Sequence, residues 1–187
     1  MAGEGRSGPG RPAPLPRGGD PAARTQARPA PARRSRYLPA EMLDTLTGYL
    51  HEHFPLSGAL GVAVESWDGR TLRLRAPLAP NLNHHRTAFG GSLSALAILC
   101  GWAALHLKHG EGAGRWRLVI QRSAVDFDAP VQADFTASAT IPDGAEWARF
   151  LRTLERHGRA RITVGGDLLS AGRATGHHEG VFVASPL

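Results

Sequence analysis

Two adjacent glycines, Gly90 and Gly91, stand between a polar loop and a long run of small apolar residues. The run predicts a central helix over residues 89–109, so the glycines fall at its start. The first amides of a helix have no intrahelical acceptor, and the helix dipole is positive there. Thr87 is the predicted N-cap. Because glycine has no Cβ, a ligand can approach the backbone closely. The stretch therefore predicts a pocket of main-chain N–H groups, over residues 89–92, for an oxygen or an anion.

A polarised carbonyl is the ligand that this pocket suits best. Phosphate loops carry longer glycine spacing and a lysine, in the pattern GxxxxGK[ST], and the sequence has neither here. One main-chain or side-chain donor to an oxyanion is worth on the order of 10²–10³ in rate. The alternative is that the glycines only allow the helix to pack closely against a strand.

Side chains that hold or move a proton stand on both sides of the glycines. The candidates are Asn83, His84 or His85, Ser92, Ser94 and, from a later strand or a partner subunit, Asp126. An unperturbed imidazole titrates near pH 6.5, which suits a general base. Simpler roles stay open for all of them: a serine bonded to its own helix, an asparagine in a turn, a histidine on a loop surface.

The hydrophobic pattern predicts the elements that position these residues. Helices are expected at 37–54, 89–109 and 145–158, a hairpin at 59–78 around Asp68-Gly69, strands at 115–127 and 131–141, and two further strands at 159–184 around Ala171-Gly172. An uncharged helix needs burial on nearly all sides. One antiparallel sheet curled around the central helix would supply it, so the predicted class is α+β.

Charge and composition divide the chain at residue 36. Residues 1–36 hold eight Arg and two acidic residues, whereas the rest holds 14 of each sign. The first segment is rich in proline and glycine and is predicted to be a disordered tail, with the folded domain at 37–187. A basic arm can contact nucleic acid or anionic lipid. A solvated extension is the favoured interpretation, so nucleic-acid binding is not expected.

The sequence indicates a cytoplasmic protein without a cofactor. No apolar stretch follows the early arginines, which argues against a secretory signal. Residues 88–105 are uncharged, but their glycines and serines favour a buried helix over a membrane span. A single cysteine, Cys100, excludes internal disulfides and multi-cysteine zinc sites. The histidine pairs at 84–85 and 177–178 are adjacent, a poor geometry for one ion, so no metal site is expected.

The segment PLAPNLNHHRTAFGGSLSALAILCGW, residues 77–102, resembles the thioesterase-like hotdog domain at the C-terminus of YiiD-type proteins. The N-x-N, T-x-FGGS and G-W elements carry the resemblance, which runs through most of 37–187 and includes VIQRSAVDFDAPV and FLRTLERHGRARI. It implies a hotdog fold, in which an antiparallel sheet wraps around one long central helix. It also implies a homodimer or a dimer of dimers, and acyl groups on coenzyme A or acyl carrier protein as substrates. Some relatives carry an acetyltransferase domain before the hotdog domain. Residues 1–36 stand in that place here, so that activity is not implied.

Residues and resemblance together suggest a set of site residues. We expect catalytic roles for Asn83, Gly91, Ser94, His85 and Asp126, and substrate contacts from Thr87, Phe89, Gly90, Ser92 and Gln121. Many hotdog thioesterases carry Asp or Glu seven residues after the second glycine, and here that position is Ile98. A missing general base costs about 10²–10⁴ in rate. The sequence therefore leaves two further interpretations, a non-catalytic module that binds acyl thioesters and a partner protein of fatty-acid metabolism.

The segment HEHFPLSGALG, residues 51–61, is similar to the His-Phe-Pro motif of hotdog dehydratases. In those enzymes an acidic residue follows on the central helix. No Asp or Glu occurs from Gly69 to His109. Dehydration is therefore not the favoured activity.

Overall fold

The computed structural model describes residues 38–110, 116–142 and 144–187. Its elements in chain order are α1 (Ala40–His53), α2 (Pro55–Ala59), β1 (Ala63–Trp67), β2 (Thr71–Ala76), α3 (Gly90–His109), β3 (Trp116–Phe127), β4 (Phe135–Thr140), α4 (Gly144–His157), β5 (Ala160–Ser170) and β6 (Arg173–Pro186). A short 3-10 turn, Ala79–Asn81, stands between β2 and α3. The predicted order of helices and strands is confirmed, except that the short helix α2 was not predicted. The predicted disordered tail, residues 1–36, lies outside the described residues.

The six strands form one antiparallel sheet in the order β1-β2-β4-β5-β6-β3. Helix α3 packs against five of them, β2 to β6. The predicted hotdog architecture, a sheet around one long helix, is confirmed. Helix α3 is long and apolar enough to cross a membrane by length and composition, but 56% of its most apolar window is buried inside the domain.

Local turn chemistry sets the two hairpins. Asp68 Oδ1 accepts a hydrogen bond from the amide of Arg70, and Gly69 has a φ of 89° between β1 and β2. Ala171 and Gly172 both have positive φ, 47° and 75°, between β5 and β6. Two successive positive φ angles match the right-handed twist of the strands on either side. Both hairpins are therefore confirmed at the predicted dipeptides.

The buried side of α3 is closely packed. Cys100 is fully buried, and its thiol donates to the carbonyl oxygens of Leu72 at 3.5 Å and Ala137 at 3.3 Å. Burial raises the pKa of the Cys100 thiol well above its ordinary range. Gly101 gives room to the ring of Phe182, which lies 2.8 Å from where a Cβ would stand. Small residues on this side thus allow the sheet to approach the helix.

The two edges of the sheet differ. At the β1 edge the amide of Val64 donates to Thr47 Oγ1 at 3.0 Å, and the amide of Leu38 donates to the Trp67 oxygen at 3.2 Å. Helix α1 and the residues before it therefore cover that edge. Strand β3 forms the other edge with 12 residues, and no strand of the described chain pairs with its outer side. This long edge is open to association.

Candidate functional site

Helix α3 begins two residues later than the predicted cap implies. Its N-cap is Phe89, with extended backbone and no side-chain cap, so the prediction of Thr87 as the N-cap is wrong. The Thr87 hydroxyl instead accepts a hydrogen bond from Asn83 Nδ2 at 2.9 Å. The amide of Ala88 donates to the Val131 oxygen at 2.8 Å, which holds the chain extended past Thr87. The helix therefore starts without a side chain that satisfies its first amides.

Two amides at this helix start have no hydrogen-bond partner in the described part of the chain, those of Gly90 and Gly91. The amide of Ser92 donates to the Phe89 oxygen at 2.9 Å. The amide of Phe89 donates to the Asn81 oxygen at 2.7 Å. Of the amides predicted to form the pocket, only the two glycine N–H groups are thus available to a ligand.

A Cβ would meet different neighbours at Gly90 and at Gly91. A Cβ on Gly91 would collide with the ring of Phe89, which folds back over this position. A Cβ on Gly90 would lie 3.6 Å from the ring of Phe127, an ordinary contact. The close neighbour at Gly91 is an aromatic side chain rather than a strand. Helix-on-strand packing therefore does not explain Gly91, whereas Gly90 lies against Phe127 of β3, so that alternative stays open for Gly90.

Asn83 organises the loop before the helix. Its Oδ1 accepts from the amides of His85 at 2.8 Å and Thr87 at 3.2 Å. Its Nδ2 donates to Thr87 Oγ1 at 2.9 Å and to the Ala88 oxygen at 3.4 Å. An asparagine amide has two donor hydrogens and two acceptor lone pairs, so these contacts use its full capacity. In this structure Asn83 positions the segment that leads into the glycines.

The two serines at the helix start carry uncommitted hydroxyl groups. Ser92 is buried and Ser94 is half-buried. Three threonines, Thr45, Thr47 and Thr153, do bond the carbonyl four residues earlier. Neither serine hydroxyl makes such a bond, or any hydrogen bond to another described residue. The simpler role of a serine bonded to its own helix is therefore not what the structure contains.

The remaining predicted site residues contact groups away from the two glycines. The rings of His84 and His85 are exposed, with their centroids 3.8 Å apart and their planes tilted by 44°. Asp126 Oδ2 lies 3.0 Å from His177 Nε2, and the Asp126 side chain is 70% exposed. Gln121 Oε1 accepts from Arg161 Nε at 2.7 Å. The structure thus brings Asn83, Thr87, Phe89, Gly90 and Gly91 together. Asp126 instead contacts the neighbouring strand β6, and Gln121 bonds to β5, beyond β6.

An apolar cleft of about 480 Å³ runs beside α3. Its lining residues come from α2, α3, β3 and β6 and the segments next to α2: Phe54, Leu56, Ser57, Leu60, Ala95, Ile98, Leu99, Trp102, Leu118, Val119, Ile120 and Phe182. The helix contributes Ala95, Ile98, Leu99 and Trp102, which continue the face that begins at Gly91, because residues four, seven, eight and eleven apart align on a helix. Ile98 therefore lies in the cleft.

Sequence reasoning missed Asn81 as a residue that holds the site. It is 2% exposed, and its Nδ2 donates to the oxygens of Leu60 at 2.9 Å and Pro77 at 2.8 Å. Its own carbonyl accepts from Phe89, so it ties the helix start to the chain after α2. Its place as the first residue of the N-x-N element was an available signal. Ser57 was also missed, and nothing in the local sequence distinguishes it.

Over the residues for which the structure gives positions, no group of three His, Cys, Asp or Glu side chains is arranged to hold an ion.

Comparisons with known proteins identify a family and several similar folds. A family model described as "Putative thioesterase (yiiD_Cterm)" matches residues 43–186. A protein of unknown function from Chlorobaculum tepidum TLS has a solved structure that is 30% identical, with a TM-score of 0.74, over 80% of this chain and 97% of that one. A thioesterase candidate from Shewanella oneidensis is 27% identical, with a TM-score of 0.69, over 78% of this chain and 99% of that one.

A third solved structure supports the fold alone. It is a Pseudomonas aeruginosa protein described as a probable thioesterase, 23% identical, with a TM-score of 0.67, over 80% of this chain and 97% of that one. The family match spans most of the chain and includes the glycine pair, the N-x-N element and the cleft-lining face of α3. The chain belongs to the thioesterase family defined by the C-terminal domain of YiiD.

Proposed function

We propose that this protein hydrolyses acyl thioesters of coenzyme A or acyl carrier protein. One observation carries the proposal: the unbonded glycine amides stand at the head of the helix face that floors the apolar cleft. A thioester needs both features. Its carbonyl oxygen needs donors that are fixed before the reaction, and its acyl chain needs an apolar channel next to them.

The reaction starts with the thioester carbonyl oxygen on the amide of Gly91, with the Ser94 hydroxyl as a second donor. A water molecule, placed by the loop that Asn83 holds, attacks the carbonyl carbon. The oxyanion that forms is stabilised by the Gly91 N–H. The carbon–sulfur bond then breaks, and the leaving sulfur takes a proton to give the free thiol, while the acyl group leaves as a carboxylic acid.

The base that takes the proton from water is assigned to His85 or to Asp126 of the partner subunit. Ile98 occupies the cleft where a helix carboxylate would otherwise face the substrate. Substrate contacts are assigned to Phe89, whose ring is 56% exposed beside Gly91, and to the polar or small residues at the site. That further set is Thr87, Gly90, Ser92 and Gln121.

We also propose a homodimer, or a dimer of dimers, built on the free edge of β3. A long unpaired strand edge is a template for a second strand. Two large apolar side chains on β3 are about half exposed, Val119 at 48% and Phe127 at 51%. Val119 also lines the cleft, so dimer formation would bring a second chain beside the acyl site. Light scattering on the purified protein measures its oligomeric state. We also assign the protein to the cytoplasm.

The test is release of free thiol from a panel of acyl-CoA and acyl-carrier-protein substrates by the full chain. Gly91→Ala and Gly91→Pro form a matched pair. Both add a Cβ that displaces the Phe89 ring, but only proline removes the N–H, and the first turn of a helix tolerates proline. We expect kcat for Gly91→Pro to fall about 10²–10³-fold below that of Gly91→Ala. Equal rates for the two variants would remove Gly91 from the mechanism.

A second candidate function is thioester binding without hydrolysis. Ile98 in the cleft favours it, because no carboxylate on α3 faces the substrate. Calorimetric binding of the same panel, saturating and without thiol release, would establish this candidate in place of the enzyme.

A further inference from the structure

One residue in the lining of the apolar cleft, Ser57, carries a buried polar atom without a partner among the described residues. It lies on α2, is 1% exposed, and its Oγ hydrogen-bonds to no residue that the structure describes. The Ser57 backbone, by contrast, is bonded, since its amide donates to Phe54 and its carbonyl accepts from Val62. The unpartnered group is therefore the side-chain hydroxyl alone.

The other polar side chain of the cleft is already committed. Trp102 Nε1 donates to the Leu118 oxygen at 3.1 Å, which leaves the indole no further donor. The rest of the lining, which includes Ile98, is hydrocarbon and aromatic. Among the residues that line the cleft, Ser57 thus carries the one free hydrogen-bonding side chain.

A buried hydroxyl without a partner is costly, so the cleft distinguishes between ligands. A purely hydrocarbon chain that fills it leaves Ser57 Oγ unpaired, whereas a chain with an oxygen beside Ser57 pairs it. A serine hydroxyl both donates and accepts. A hydroxyl or a keto group on the ligand therefore satisfies it equally well.

We propose that the cleft selects acyl chains that carry a hydroxyl or keto oxygen, with Ser57 as the residue that determines this specificity. The proposal deepens the thioesterase function and rests on it for the identity of the acyl group. The preference itself belongs to the cleft, so it is measurable with free acids. Ser57 touches the chain rather than the reacting carbonyl, because the cleft begins at Ala95, one helical turn beyond Gly91.

The experiment is calorimetry of the full chain with decanoic acid and with a series of hydroxydecanoic acids in which the hydroxyl moves along the chain. In the native protein we expect one hydroxy acid to bind about 3–10-fold more tightly than decanoic acid, the range expected for one net hydrogen bond. Ser57→Ala should bring this ratio to about one by weakening the hydroxy acid. Ser57→Thr keeps a hydroxyl and should retain the preference. Thermal unfolding of both variants checks that the domain is intact.

The outcomes separate the two proposals. A preserved ratio in Ser57→Ala, no preference in the native protein, or no binding of any acid overturns the role of Ser57. Free acids that bind with the expected preference, alongside acyl-CoA and acyl-carrier substrates that are never hydrolysed, overturn the thioesterase and leave Ser57 as the selecting residue of a binding module.

Discussion

The Nε2–H of His178 donates a hydrogen bond to the carbonyl oxygen of Ser138 across 2.7 Å, from one strand of the sheet past its neighbour. Strand β5 lies between them and presents Gly166, where a Cβ would collide with the Ser138 oxygen. The His178 side chain is buried, and burial lowers its pKa below the ordinary value. The bond to Ser138 and the charge of Asp167 oppose that shift without reversing it.

Stability should therefore fall in mild acid. With a folded-state pKa below the unfolded value near 6.5, His178 contributes its full share above pH 6.5, and that share is lost as pH falls and the unfolded chain alone binds the proton. His106, whose pKa burial also lowers, acts in the same direction. We expect the free energy of unfolding, from urea denaturation, to decrease from pH 7 to pH 5. His178→Gln keeps a donor without titrating, and an unchanged pH slope in that variant would contradict the assignment.

The loop before α3 should respond to loss of the Asn83–Thr87 bond. Thr87→Val removes the hydroxyl acceptor at nearly constant shape, whereas Thr87→Ser keeps it. Because a small displacement of positioned groups lowers the rate strongly, we expect kcat/KM for thioesters to fall about 10²-fold in Thr87→Val and to stay near the native value in Thr87→Ser. Steady-state kinetics measure both. Equal values for the two variants would show that this hydroxyl does not position the site.

Ile98 offers the reverse test, a gain of activity. Ile98→Asp places a carboxylate in the cleft, and Ile98→Asn is its neutral isostere. A carboxylate on α3 would add a second base to the one assigned to His85 or Asp126, so thiol release should rise about 10²-fold in Ile98→Asp and not in Ile98→Asn. The pH profile should then show a new acidic limb in the aspartate variant. Matching rates for the pair would show that a carboxylate at position 98 does not act as a base.

Packing at Gly101 should be intolerant of a single methyl group. A Cβ there would lie 2.8 Å from the Phe182 ring, in the core, so Gly101→Ala should destabilise the protein by about 1–3 kcal/mol. Phe182→Leu should restore part of that loss in the double variant. Gly48 is the matched control: it is exposed within α1 with no atom within 4 Å of a built Cβ, so Gly48→Ala should stabilise by about 0.5–1 kcal/mol. Chemical denaturation of all four proteins decides between these values.

Much of the fold was predictable because its signals are local. The Asp68-Gly69 and Ala171-Gly172 dipeptides mark the hairpins on their own, and the uncharged run over 88–105 requires a surrounding sheet. The site was less predictable because its decisive contacts join distant segments. Thr87 has the chemistry of an N-cap, but its hydroxyl is taken by Asn83, and Val131 holds the backbone beside it extended.

Which hydrogen-bond donors near the site remain unpaired depends on contacts between distant segments, and no local sequence pattern reveals these contacts. The carbonyl oxygen of Asn81 accepts a hydrogen bond from the amide of Phe89, whereas the amides of the next two residues, Gly90 and Gly91, have no partner among the described residues. Ser57 is unremarkable in sequence, and only the cleft formed by α2, α3 and β3 makes its hydroxyl a lone polar group. Tertiary structure thus decides which of several polar groups near the site remain without a partner.

The donors at the start of α3 are peptide N–H groups, and this bears on how such a site changes over generations. Apart from proline, no substitution deletes a peptide N–H, so the part of the site that holds a carbonyl persists while neighbouring side chains drift. The position at Ile98 is free to gain or lose a carboxylate without dismantling that holding site. A change in the single codon for residue 98 can therefore add or remove a base while the two donors stay in place.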